Sequence, residues 1–167
     1  MSKPKCLSMK TFKVAKINFE NKQWHIKANV PSKSGWYMIR TTTPIDTLQS
    51  VGEPKHKGNY NIPKKIKTAQ LLINKGLVII QNDRTPYIVY SGEAKNLLSR
   101  AREHSFGGVG TGCLAINSYP SLLKYEWWFD YLECESVFPG SDGDKGLHTY
   151  GEQYWRSMNG WPILCSI

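Results

Sequence analysis

Short runs of branched and aromatic side chains alternate along the chain with polar stretches punctuated by proline and glycine. The period of each run predicts its element. Gly35-Trp36-Tyr37-Met38-Ile39-Arg40 reads as a short strand, because aromatic and branched residues suit a pleated, half-buried surface. Leu77-Val78-Ile79-Ile80 and Tyr87-Ile88-Val89-Tyr90 read as two more strands around the turn-rich Asn82-Asp83-Arg84-Thr85-Pro86, with Ser91-Gly92 ending the second. Tyr125, Trp127, Phe129 and Tyr131 alternate with Glu126, Trp128 and Asp130, which is the two-residue period of a strand. Nearer the start, Ile17-Asn18-Phe19 and Trp24-His25-Ile26 flank a polar Glu20-Asn21-Lys22-Gln23 and predict a small hairpin.

Three segments have helical spacing instead. Ile66, Ala69 and Leu72 or Ile73 follow Pro63, a residue that a first helical turn tolerates, and Asn74-Lys75-Gly76 supplies a stop. Lys95 to about His104 forms a second helix, with Leu97, Leu98 and Ala101 facing inward. A closing helix runs from about Leu147 to Met158, with Leu147, Tyr154, Trp155 and Met158 as its apolar stripe. Helices mixed with hairpin-like strand neighbours predict an α+β fold, a small and largely antiparallel β-sheet flanked by helices.

Composition narrows the class. With 167 residues, 40% of them hydrophobic and 12% aromatic, the chain fits one packed domain rather than a disordered segment. No run of about eighteen apolar residues is present, so no membrane span is expected. The first residues lack the apolar stretch of a secretion signal, and an intracellular, cytoplasmic protein is expected. Cys6, Cys113, Cys134 and Cys165 form no Cys-x-x-Cys pair and are expected as free thiols. A net charge of +9 favours an anionic partner, nucleic acid before membrane. Much of the lysine lies early, at Lys55, Lys57, Lys64, Lys65, Lys67 and Lys75 among others.

The chemistry-bearing stretch is Tyr90-Ser91-Gly92-Glu93-Ala94-Lys95-Asn96-Leu97-Leu98-Ser99-Arg100-Ala101-Arg102-Glu103-His104. Arg100 and His104 are an i, i+4 pair, so both project from one helical face. A guanidinium there suits a phosphate and the charge that grows on its oxygens. Tyrosines on neighbouring strands can place hydroxyls beside an attacking water, with Lys95 or Arg102 as the cation that would lower the pKa of Tyr37. One helical carboxylate can anchor a divalent ion that keeps most of its waters, and Glu152 competes for that role with Glu126, Glu133 and Glu135, which lie on or beside a strand.

This ordered set resembles the GIY-YIG nuclease superfamily. Gly35-Trp36-Tyr37 matches the first motif, Tyr90-Ser91-Gly92 the second, Arg100 with His104 the helix that follows, and Glu152 the late glutamate. The resemblance covers most of the chain from about Gly35 onward. It implies catalytic roles for Tyr37, Tyr90, Arg100, His104 and Glu152. It also implies Mg²⁺, or another divalent cation such as Mn²⁺, held by Glu152. Departures are Ser91 inside the second motif, Glu93 where many members carry Lys, and Cys165 near the expected late Asn, for which Asn159 is the nearest candidate. The wide separation of Tyr37 and Tyr90 marks an insertion at about 41–76, after a basic N-terminal extension over 1–33.

The function implied is Mg²⁺-dependent cleavage of double-stranded DNA, most like the stand-alone type II restriction endonucleases, with a homodimer on DNA. An inactive nucleic-acid-binding protein on the same fold is the alternative, as is a repair or homing nuclease. The insertion is expected to read DNA. Lys57, Lys64, Lys65 and Lys67 would track phosphates, while Asn61 and Gln70 offer paired hydrogen bonds to bases. Two further patterns are expected to be surface loops, the glycine-rich one with room to lie against DNA. Gly108-Val109-Gly110-Thr111-Gly112 lacks the Lys-Ser/Thr of a nucleotide-binding loop, and Asp142-Gly143-Asp144 lacks the other ligands of a calcium loop.

Overall fold

The alternation at Gly35–Arg40 and at Tyr125–Tyr131 builds the two inner strands of a four-stranded sheet. The structure is a computed structural model and describes residues 11–56, 58–80 and 85–165. In chain order it contains β1 (Lys13–Lys16), α1 (Trp24–Lys27), β2 (Gly35–Thr41), α2 (Ile45–Ser50), α3 (Ile62–Asn74) and β3 (Val78–Ile79). It continues with β4 (Tyr87–Ala94), α4 (Leu97–Phe106), β5 (Trp127–Glu133), α5 (Cys134–Val137), α6 (Lys145–Asn159) and β6 (Trp161–Pro162). The main sheet is antiparallel throughout, in the order β1-β5-β2-β4, and β3 pairs with β6 in a separate parallel ribbon. The fold is therefore α+β with a small, largely antiparallel sheet.

Strand β2 is buried on both faces, and its alternation sorts the two cores. Tyr37 and Ile39 pack with Leu97, Ala101 and Phe129 toward α4. Trp36 and Met38 pack with Ile88, Leu132 and Trp155 toward α6. The 41–76 segment joins the first core: Leu48 and Val51 at α2, and Ile62, Ile66 and Ala69 on α3, are buried there. The segment is thus a packed helical pair. From the N-terminal segment, β1 pairs with β5, and Trp24 and Val30 enter the same core.

Several expectations are corrected. No hairpin forms at Ile17–Ile26. The side chains of Asn18 and Asn21 accept the backbone N–H groups of Glu20 and Gln23, and these local turns lead into α1 instead. Strand β3 takes β6 as its partner rather than β4, in the register Val78↔Trp161. Asn82, Asp83 and Arg84, expected in the turn between them, lie outside the described residues. Ser91-Gly92 does not end β4, because Gly92 sits in the ladder opposite Tyr37. The stripe on α6 is also different. Met158 is 62% exposed, and the buried positions are His148, Gly151, Trp155 and Arg156. Gly151 explains this choice of face. A Cβ there would lie 2.5 Å from the Trp36 ring, whose Nε1 donates to the His148 carbonyl at 2.8 Å.

Among the described residues, Cys113, Cys134 and Cys165 are free and buried, while Cys6 lies outside them. Among the same residues, no helix is long and apolar enough to cross a membrane.

The seat of Trp36 on Gly151 gives a stability prediction. Gly151→Ala should destabilise the fold by about 1–3 kcal/mol through overpacking, read from urea unfolding. An unchanged midpoint would show that α6 can shift away from the ring freely.

Candidate active site

Helix α4 is fixed at its start before it presents any chemistry. Asn96 caps it by accepting from the Ser99 N–H, and the Leu97 and Leu98 N–H groups donate to the carbonyls of Lys33 and Pro31. The helix is therefore tied to the segment that leads into β2. One turn apart on its inner face, Arg100 and His104 reach the same atom. Arg100 Nε donates to Tyr37 Oη at 3.0 Å, and His104 Nε2 lies 3.0 Å from that oxygen.

The proton positions follow from the neighbours. The Leu114 N–H donates to His104 Nδ1 at 3.2 Å, so the neutral ring carries its proton on Nε2 and donates it to Tyr37. Burial, reinforced by the Arg100 charge, pushes the pKa of His104 well below its ordinary value and keeps the ring neutral. For Tyr37 burial raises the pKa, and it outweighs the lowering by Arg100, so Tyr37 is a protonated phenol here. Both of its lone pairs are occupied. Its ring stacks on that of Tyr90 with centroids 6.0 Å apart, and Tyr60 stands edge-on to Tyr90 beyond it. Burial, then Tyr37 and Tyr60, also push the Tyr90 hydroxyl upward.

The motif glycines have a steric role in this arrangement. A Cβ on Gly92 would lie 2.6 Å from Tyr37 Oη, and one on Gly35 would run into the Leu132 carbonyl. Glycine is required at both places by close approach rather than by turn geometry.

The rest of the Arg100 guanidinium is also occupied. Nη1 donates to Glu103 Oε2 at 2.9 Å and to the Thr111 carbonyl at 2.8 Å, and Nη2 to the Gly112 carbonyl at 3.3 Å. The glycine-rich loop after α4 therefore covers the group that the sequence assigns to phosphate.

Glu152 lies apart from this cluster, on the other face of the sheet. It pairs with Arg156, one helical turn on. Arg156 is itself buried. Its Nε donates to Ser91 Oγ at 3.0 Å, and its Nη2 to the Ser91 carbonyl at 2.9 Å and to Cys165 Sγ at 3.3 Å. Ser91 and Cys165 thus belong to one network around a single buried cation, as a buried charge requires. Burial raises the pKa of Glu152, Arg156 opposes this, and nearby Glu93 adds to the rise. Glu152, Gly92, Tyr37 and Trp155 border a cavity of about 10 Å³, barely room for one water.

Among the described residues, no group of three or more His, Cys, Asp or Glu side chains could hold a metal ion. Glu93 pairs with His148 Nδ1 at 3.4 Å and acts on Glu152 through its charge, so carboxylates here would suit at most a largely hydrated Mg²⁺ rather than a closed cage.

Other expected residues take different places. Lys95 is exposed in the turn before α4, and the charge of Arg102 acts on His25; Arg100 is the cation beside Tyr37. Asn159 donates to the Trp155 carbonyl at the end of α6 and does not join Glu152. Asn61 caps α3 and donates to Glu53, while Gln70 donates to Asn74. Their amides are thus already bonded within the chain. Lys64 and Lys67 are exposed, Lys65 sits over the Tyr60 ring at 4.8 Å, and Lys57 lies outside the described residues. Arg156 and Tyr60 were not anticipated. For Arg156 a signal existed, since Glu followed by Arg at i+4 is a favourable helical pair.

No family model matches the chain, and neither curated proteins nor solved structures give a match.

His104 gives a pH prediction. Its folded pKa lies below the ordinary 6.5, so its stabilising effect is complete above that pH. As pH falls below 6.5, the unfolded chain binds a proton that the folded chain refuses, and stability declines down to the folded pKa. Unfolding free energies at pH 7.5, 6.5 and 5.5 should show this decline, and His104→Gln should flatten it. Some slope should remain from His25, which is shifted the same way. Equal slopes in both proteins would place His104 in a protonatable environment.

Proposed function

We propose that the chain is a Mg²⁺-dependent DNA endonuclease, a type II restriction enzyme in kind, that hydrolyses phosphodiester bonds at the Tyr37–Arg100–His104 cluster. The observation that carries this reading is the convergence of two N–H donors from α4 on one phenolic oxygen. Such an arrangement favours a phenolate once the site is wetted. Hydration relieves the burial that now raises the pKa of Tyr37, while the Arg100 charge that lowers it remains.

Tyr37 then orients or deprotonates the attacking water, and His104 and Arg100 hold its oxygen in place. When the loop carbonyls give way, the Nη groups of Arg100 bind the phosphate and offset charge on its oxygens. Glu152 is the residue that would hold Mg²⁺, which when bound would supply further positive charge to the phosphate. Water adds across the P–O bond and leaves a phosphate monoester and an alcohol. The +9 charge suits the duplex, and cutting two strands with one site per chain calls for two subunits.

A second reading, a DNA-binding protein without activity, is favoured by one feature. Arg100 is capped by the loop, and Glu152 is neutralised by Arg156.

Cleavage of supercoiled plasmid separates the readings. Arg100→Ala should lose on the order of a hundredfold in rate. Glu152→Gln should abolish cleavage while DNA binding persists. Near-normal cutting by either variant would remove that residue from the mechanism, and a wild-type protein that binds DNA but never nicks it would favour the second reading.

A further inference from the structure

The inserted segment touches the candidate active site through its backbone and through one ring. The Gly112 N–H donates to the Gly58 carbonyl at 3.1 Å, and the Tyr60 N–H donates to the Cys113 carbonyl at 3.0 Å. Gly58 and Gly110 meet so closely that a Cβ on Gly58 would lie 2.9 Å from Gly110 Cα. Between them, Asn59 is buried and accepts from the Cys113 thiol at 3.4 Å. The strip held in this way, Gly110 to Leu114, carries the two carbonyls that cap Arg100 and the N–H that fixes His104. The Tyr60 ring stands edge-on to Tyr90 with centroids 5.5 Å apart. Over the Tyr60 ring lies Lys65 of α3, and the Tyr119 hydroxyl donates to the Tyr60 carbonyl at 3.4 Å.

We propose that Tyr60 is a positioning residue of the active site, acting through Tyr90 and through the Gly110–Leu114 strip on Arg100 and His104. This inference rests on the nuclease reading and extends it. The insertion becomes part of the catalytic assembly rather than a separate DNA-reading attachment. Lys65 gives the assembly an input from DNA. A phosphate that draws its ammonium away removes a cation–π contact from Tyr60, and with it one restraint on the loop that covers Arg100. Lys64 and Lys67, exposed on the same helix, lack that connection and act on binding alone.

The test combines kinetics with a readout that needs no turnover. Lys64→Gln and Lys67→Gln should raise KM for a duplex substrate and leave kcat unchanged. Tyr60→Ala should lower kcat about tenfold or more with little change in KM, the mark of a loss in the chemical step. Tyr60→Phe, which keeps the ring edge against Tyr90, should recover most of that loss. Independently, ¹⁵N spectra of the His104 imidazole in the metal-free, DNA-free protein should shift in Tyr60→Ala and stay near wild type in Tyr60→Phe. Wild-type imidazole signals in Tyr60→Ala, or a change in KM alone, would overturn the proposal. If the wild-type protein cleaves nothing, the nuclease reading fails and the imidazole spectra still decide whether Tyr60 positions His104. If Tyr60→Ala does not fold, Tyr60→Leu takes its place in both measurements.

Discussion

The site depends on one phenolic oxygen that accepts from two donors on a single helix face. Tyr37 Oη holds Arg100 and His104 in fixed positions, and they in turn hold Tyr37. A buried phenol, a buried neutral imidazole and a half-buried guanidinium would each be costly alone, because an unpaired polar group in the interior loses its water without replacement. Together they satisfy one another, and the requirement spreads outward. Gly92 must lack a side chain so that the oxygen can lie against β4, and Gly35 must lack one so that β2 can lie against β5. The start of α4 must be tied down at Lys33 and Pro31 so that its face points at β2.

Much of this was legible in the sequence, for identifiable reasons. Strands β2 and β5 and helices α3 and α4 were visible because aromatic alternation and 3.6-residue spacing are local signals. The shared face of Arg100 and His104 follows from their spacing alone. What the sequence hid was of another kind. Two of the partners of Arg100 are the backbone carbonyls of Thr111 and Gly112, which carry no residue-type signature. The choice of β6 over β4 as partner of β3 is a long-range matter that no local period encodes. The inner face of α6 was misread because it is lined by His148, Gly151 and Arg156, so apolar residues do not mark it. Packing around Trp36 and the Ser91–Arg156–Cys165 network overrode the apolar stripe.

The sheet divides the chemistry into two halves. On one face lies the Tyr37 cluster, closed over by a loop that the insertion grips. On the other lies Glu152, held by an arginine that is itself pinned to β4. Tyr37 and Gly92, paired across β2 and β4, border the same small cavity as Glu152 and are the point where the halves meet. On the proposed reading, the resting protein has its cation capped and its carboxylate neutralised, and a substrate must displace these internal partners. The 41–76 segment then has a physical reason to be packed into the core rather than trailing from it.

The claim that Tyr37 is the focus of this assembly is tested most directly by removing its hydroxyl and nothing else. Single-turnover cleavage of a duplex by Tyr37→Phe, with DNA affinity and thermal stability measured on the same preparation, isolates the chemical step. The account predicts a severe loss of rate with DNA affinity close to wild type and only a modest fall in stability. Cleavage at the wild-type rate would contradict it and leave Tyr37 a core aromatic.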